Sequence, residues 1–465
     1  MTRLNKLSFV LICATGIFTT LAYGTVHQPV IAFFYAIVTV MGLVWASDCL
    51  INGEVRFSRS PLQIPLLLLG AYALIQIVPF GTVTEYNGIA GVPRTISVEP
   101  FATQVTALHI FALCAFFALA LAALDSSARV RRLATVITVF GFVYGFYAIL
   151  QMVLSPDKIY GIYKPQSAVP FGSFVNRHDF AAVMEMSISV PLGMMFAGAV
   201  RSDKKLLYVV AIVLMGSSLL LSGSRGGLIA LIAEIILLVI LTTRAKGRND
   251  LILKIALSGL LVISAVGGAV FVGGDTSLTR FSEAAAADDI SSSRTQIWGV
   301  TLNVIAANMP FGAGLGAYAQ AYTKSDTASG YERVEQAHND YLQIVADAGL
   351  VGLIVGSLFL FWFFREGIRD VAVTNAFRRG IAVGSFAGCF AILIHSLFDF
   401  VLHITAVSVM FLTLMSMLVA AGREYDDDTD EFDNLKDHER RRKLEVSSGS
   451  VVSIGERLPR RLKKD

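Results

Sequence analysis

Arg225 stands inside an apolar run, Leu221-Ser222-Gly223-Ser224-Arg225-Gly226-Gly227-Leu228. A guanidinium at the edge of a hydrocarbon layer is costly and usually faces an ion, a substrate or a water-filled cavity. Glycines on either side let backbone approach a ligand closely, and the helix that follows offers unpaired N–H groups at its start. The segment reads as an anion site. Arg294 poses a related problem. Ser291-Ser292-Ser293 supplies an N-cap, and the spacing predicts a helix over 295–308 with Ile297, Trp298, Leu302, Val304 and Ile305 available for an apolar face along a membrane surface. A cation in the first turn of that helix opposes the helix dipole, which an anionic ligand would correct; a solvated arginine is the plain alternative.

His338 heads a third stretch, Glu335-Gln336-Ala337-His338-Asn339-Asp340-Tyr341 running on to Gly349-Leu350-Val351-Gly352. Asn339, Asp340, Gln343 and Asp347 recur at helical spacing, and Gly349 and Gly352 permit a bend as the helix enters a bilayer. A histidine at that boundary can be neutral near pH 7 and take a proton from a hydroxyl, although a surface histidine without a role is the plainer reading. His395, Asp399 and His403 recur every four residues, which stacks them on one face if the helix continues. The two histidines could then flank a zinc, Asp399 could orient an imidazole, or polar groups could simply pair at a helix end. Asp340 beside His338 lacks an evident third metal ligand. Glu185 and Glu234 lie within apolar spans and are expected to face protein or water. Met309-Pro310-Phe311-Gly312-Ala313-Gly314-Leu315-Gly316 resembles a nucleotide loop only superficially, because no strand precedes it.

These groups need elements to carry them. The chain has 465 residues, 55% of them hydrophobic, with mean hydropathy +0.64, too apolar for an ordinary soluble protein. Twelve spans are predicted, over about 7–24, 30–50, 61–79, 101–124, 133–154, 179–200, 205–221, 225–243, 251–272, 343–364, 380–398 and 403–421. With the N-terminus inside, the 38 lysines and arginines fall on the cytoplasmic side except Arg94, Lys158, Lys164, Arg177, Arg225, Arg280, Arg294, Lys324 and Arg333. That bias is what the positive-inside rule requires, and it puts both termini in the cytoplasm. Ala22-Tyr23-Gly24 could pass for a signal-peptidase site, but a retained first helix is the expectation.

The fold class expected is all-α, a polytopic membrane protein with about twelve transmembrane helices. It divides into N-terminal membrane helices over 1–130, a membrane domain over 131–421 with a large helical outer segment at 273–342, and a charged tail over 422–465. That tail opens acidic at Asp426-Asp427-Asp428 and turns basic at Arg440-Arg441-Arg442-Lys443. An EF-hand fails there, since Glu431 takes the glycine position and Asp437 the bidentate glutamate position. A solvated, disordered run is expected instead, its basic half on anionic lipid. Cys13, Cys49, Cys114 and Cys389 lie far apart in apolar spans, so neither disulfides nor a CxxC metal site is expected. No nucleic-acid partner is expected.

Taken together, Ser222–Gly227 with its arginine, Ser293-Arg294 leading into Ile297-Trp298, and His338-Asn339-Asp340-Tyr341 followed by Gly349-Leu350-Val351-Gly352 resemble the O-antigen ligase family. That family includes lipopolysaccharide O-antigen ligases, exopolysaccharide polymerases and some protein O-oligosaccharyltransferases. Phe174-Val175-Asn176-Arg177-His178-Asp179 is similar to the family's Asn-rich lead-in to the sixth span, with His178 where many members carry a second asparagine. The stretch His395–His403 resembles a segment common in one branch. The resemblance covers roughly 130–420.

It implies a bacterial inner-membrane enzyme whose donor is a glycan on undecaprenyl diphosphate. The acceptor is lipid A core, a second lipid-linked glycan, or a serine or threonine of a protein. Arg225 and Arg294 map onto the family's diphosphate-binding arginines and His338 onto its base, with Arg177, Asn339 and Asp399 as supporting residues. Transfer would invert the sugar and need no cofactor or metal. A transporter or flippase is the rival from another class, but transporters usually hold substrate near the midplane on broken, repeated helices. Here the cations gather at the outer boundary, and no internal repeat is evident.

Overall fold

The structure, a computed structural model, describes residues 2–83, 91–166, 168–243, 294–326 and 333–423, with a few positions between 255 and 263. The expected span at 251–272, the cap at Ser291–Ser293 and the charged tail lie outside the described residues. Among the described residues the fold is all-α, a polytopic membrane protein. Its helices in chain order are α1 (Arg3–Leu21), α2 (Gln28–Asn52), α3 (Gln63–Gln76), α4 (Pro100–Ala123), α5 (Ser127–Leu154), α6 (Arg177–Phe196) and α7 (Lys205–Ser222). There follow α8 (Arg225–Thr243), α9 (Arg294–Asn308), α10 (Tyr318–Ser325), α11 (Asp340–Asp370), α12 (Ala376–His395) and α13 (Thr405–Gly422). A two-residue hairpin, Thr82–Val83 with Val92–Pro93, is the sole sheet described.

Ten of these helices are long and apolar enough to cross a membrane, and α3 is a shorter apolar helix of 14 residues. Every predicted span within the described residues therefore corresponds to a helix. The innermost are α6, α12 and α13, buried along almost their whole length. Among the described residues, the α6–α12 contact is the most extensive between any two helices. Its basis is a run of small residues. A side chain on Gly384 would meet the Ser189 carbonyl at 2.6 Å, and one on Gly380 would meet the Met194 backbone at 2.9 Å. Such close backbone approach replaces the hydrophobic drive that lipid cannot supply between helices.

Helix α11 is broken as its glycines allow. Gly349 adopts φ 57°, ψ −138°, a conformation closed to other residues, and the segment Met309–Gly316 threads into the break. Ala313 N donates to the Ala346 carbonyl at 2.8 Å, Gly314 N to Asp347 O at 2.9 Å, and Leu350 N to Pro310 O at 2.9 Å. Gln76 of α3 clamps the junction, its Nε2 donating to Asp347 O and Phe311 O and its Oε1 accepting from Leu315 N. The glycine-rich segment thus satisfies backbone groups that a broken membrane helix would otherwise leave orphaned.

Residues of α9, α10, the segment joining them and the start of α11 form a small satellite core, with Val304, Ala313, Tyr318, Tyr322 and Ala346 buried together and Ile297, Val300 and Ile305 against them. Leu302 is 57% exposed, while its neighbour Thr301 turns inward and bonds the Tyr318 hydroxyl at 2.6 Å. The four cysteines are free thiols, with Cys49 and Cys389 buried and Cys13 and Cys114 half-buried.

Candidate active site

The site assembles where α12 stops. His395, Asp399 and His403 would share one face only if the helix continued, and it does not: α12 ends at His395, and the three residues pair at the helix end with three different partners. The reason lies in the N-terminus of α11, which ties off the last turn. Asp340 N donates to Ser396 O at 2.9 Å, Asn339 Nδ2 to Leu397 O at 3.0 Å, and the Tyr341 hydroxyl to Leu393 O at 2.8 Å. Asn339 is also the N-cap of α11, its Oδ1 accepting from the Tyr341 and Leu342 amides.

Asp399, 2% exposed, is the hub of what results. Its Oδ1 lies 3.0 Å from His338 Nδ1, and its Oδ2 accepts from Arg294 Nη2 at 3.1 Å. Burial alone would raise the Asp399 carboxyl, but the His338 hydrogen bond and the charges of His178 and Arg294 overcome it and hold it well below the usual carboxylate range. An ionised carboxylate only accepts, so Nδ1 of His338 carries the proton in that bond. In a neutral imidazole the other ring nitrogen, Nε2, would then hold the lone pair. Phe400 packs edge-on against the imidazole, ring centroids 4.8 Å apart, and fixes its plane. The His338 backbone itself sits at φ 50°, a strained position for a non-glycine residue and one that clusters at functional sites.

A second arm runs from Asp399 to the arginine turn. His178 Nδ1 lies 3.9 Å from Asp399 Oδ2 and 2.8 Å from Ser224 Oγ. Ser224 in turn accepts from Gly227 N at 3.2 Å and so caps the start of α8, whose first residue is Arg225. Arg177 reaches the same turn, its Nη1 3.5 Å from where a side chain on Gly223 would stand. Arg177 and Arg225 are the first residues of α6 and α8, and Arg294 is the first described residue of α9. A cation opposes the helix dipole at each of these places, and an anion nearby would offset that cost.

The turn rests on a buried pair that the sequence did not reveal. His395 Nδ1 and Glu185 Oε1 lie 2.9 Å apart, both fully buried, and join α12 to α6. Side chains added at Gly226 and Gly227 would strike His395 at 2.8 Å and Glu185 at 2.9 Å. No spacing rule connects residues on helices this far apart in sequence. Glu234 is also fully buried and faces protein, as expected. His403 pairs with Asp340 at 2.7 Å; burial would lower its pKa, but the Asp340 bond and charge prevail and raise it. Among the described residues, no group of three or more His, Cys, Asp and Glu could hold a metal ion.

The sequence-predicted residues are thus brought together in two linked groups: Arg294, His338 and Asp399 in direct contact, with Asn339 holding the helix start, and Arg177 beside the Arg225 turn. His178 and Ser224 connect the two.

A polytopic all-α membrane protein with arginines, a histidine and a carboxylate clustered at the loop ends of its helices defines the class. Residues 210–356 match the family model described as O-antigen ligase, and the chain carries that family's domain. It is a polytopic membrane protein that carries an O-antigen ligase domain over this stretch, which supports a membrane role in handling glycans. The matched stretch contains Arg225, Arg294 and His338 but stops short of Asp399 and begins after Arg177. No curated protein matches the chain.

Proposed function

We propose that the protein is an inverting glycosyltransferase of the ligase type, moving a glycan from undecaprenyl diphosphate to an acceptor hydroxyl on the periplasmic side. The contact between His338 and Asp399, with Arg294 on the same carboxylate, carries this reading. Asp399 keeps the proton on Nδ1, leaving Nε2 to accept the proton of the acceptor hydroxyl. The acceptor oxygen attacks C1 of the donor sugar from the face opposite the leaving group. As that bond forms, the C1–O bond to phosphate breaks, and its electron pair leaves with the diphosphate. Arg225 and Arg294 hold the diphosphate, their planar forks giving paired, charge-assisted bonds that strengthen as charge develops. Arg177 adds positive potential beside the turn. The positive-inside distribution supports a periplasmic site with both termini cytoplasmic.

Deleting the gene tests the function. Loss of O-antigen from lipid A, with full-length chains retained on undecaprenyl diphosphate, is the expected result. Single unpolymerised repeats would assign it to polymerisation instead, and donor retained on the cytoplasmic leaflet would assign it to transport.

A further inference from the structure

A second cluster of chemistry-bearing side chains lies outside the transfer residues. Tyr23, His27, Tyr160 and Tyr163 pack edge to face: centroids are 5.5 Å apart for Tyr23–His27, 5.7 Å for Tyr23–Tyr160, 5.5 Å for Tyr23–Tyr163 and 5.4 Å for His27–Tyr163. Strained backbone carries two of these rings. Tyr23, Gly24 and Thr25 are three consecutive left-handed residues, at φ 57°, 69° and 57°, and Tyr160 is left-handed at φ 56°. L-residues avoid successive left-handed positions, and a β-branched threonine there is an outlier.

Specific contacts hold the strain in place. Thr25 Oγ1 donates to Thr19 O at 3.1 Å, the Tyr160 hydroxyl bonds the Leu21 carbonyl, and Thr405 Oγ1 donates to Thr25 O at 3.0 Å. The last contact ties the cluster to the transfer site, since Thr405 follows His403, the partner of Asp340. Gly24 provides a second tie: a side chain there would strike Phe174 at 2.6 Å, three residues before Arg177.

Exposed positions on the membrane-length helices carry plain hydrocarbon, such as Leu50 and Phe101. Here every ring is partly exposed and carries a hydroxyl or a ring nitrogen, and the exposed Asp157–Lys164 ion pair lies on the same loop as Tyr160 and Tyr163. Aromatic faces edged with donors and acceptors match a ligand that presents C–H faces and hydroxyls together.

We propose that Tyr23, His27, Tyr160 and Tyr163 form a stacking platform for a sugar ring of the glycan, beside the transfer site. This rests on the transferase reading and adds a subsite to it. The platform engages sugars remote from the reacting C1, so its binding energy depends on glycan length.

The test uses the purified full chain in nanodiscs with the cell's own lipid-linked glycan, fractionated by chain length, as donor. Tyr163→Ala and His27→Ala should raise KM for the multi-repeat donor about tenfold while leaving kcat and single-repeat kinetics unchanged, and Tyr163→Phe should restore it. A rise confined to the acceptor's KM would mean that the platform holds the acceptor glycan. A second arm records saturation-transfer NMR with the soluble oligosaccharide released from that donor by mild acid. Wild-type protein should bind it, and Tyr163→Ala should not. If the wild-type protein transfers nothing yet binds the oligosaccharide through Tyr163, the transferase reading fails and the platform stands. Unchanged kinetics and unchanged oligosaccharide binding in both alanine variants would overturn the platform and leave the rings as an interfacial aromatic belt.

Discussion

Asp399 reaches Arg294 across 105 positions and His338 across 61, and each group changes what the others can do. Replacing it with asparagine keeps the volume but lets an amide donate to Nδ1, which favours the tautomer with its proton on the acceptor side. Asp399→Asn should therefore lower kcat about a hundredfold or more with little change in donor KM, measured on purified protein. The same residue sets a pH dependence. Its folded pKa is depressed below the unfolded value of about 3.9, so its stabilisation is present above that pH and is lost as pH falls through the folded value. Thermal unfolding followed from pH 5 down to pH 2 should show a steeper loss for the wild type than for Asp399→Asn. At this scale the sequence exposed the lone cations and His338, because a charge in an apolar run stands out. It also suggested that Asp399 orients an imidazole. It could not say that the imidazole is His338 rather than His395 or His403, because that depends on where α12 stops.

Two elements position the chemistry, and they differ in how plainly the sequence announces them. Gly349 was legible as a bend in α11, since glycine just inside a membrane helix has few other uses. That the break is filled by Met309–Gly316 was not, because the bonds are to backbone and carry no side-chain signature. The arginine turn was legible as a ligand-approaching segment, yet Gly226 and Gly227 also let it settle on His395 and Glu185. Alanine near the start of α8 would by propensity alone stabilise the helix by about 1 kcal/mol. In Gly226→Ala the new methyl meets His395 at 2.8 Å, and overpacking of this kind costs roughly 1–3 kcal/mol. The variant should melt at lower temperature and show a higher donor KM, because the turn carrying Arg225 must lift. A melting temperature at or above that of the wild type would show that the turn does not rest on the buried pair.

Across the whole molecule, hydropathy located every helix span within the described residues, because a bilayer of fixed thickness imposes a length that soluble cores do not. Charge distribution leads to an expected orientation, on which helix packing alone is silent. Packing was the less legible part: Gly380, Gly384 and Gly388 are spaced four apart along α12, a pattern that acquires meaning only once α6 is known to lie against it. The architecture surrounds α6, α12 and α13 with the other helices and leaves loop ends to build one cluster of Arg, His and Asp. The reaction proposed for this cluster is glycan transfer with His338 as base. Its most direct test is transfer in liposomes containing purified protein, lipid-linked donor and acceptor, comparing the wild type with a His338→Ala variant of equal insertion and melting temperature. The wild type should join glycan to acceptor and release free lipid diphosphate, and His338→Ala should do neither. Transfer by His338→Ala at the wild-type rate, or movement of donor between leaflets without joining, would contradict it.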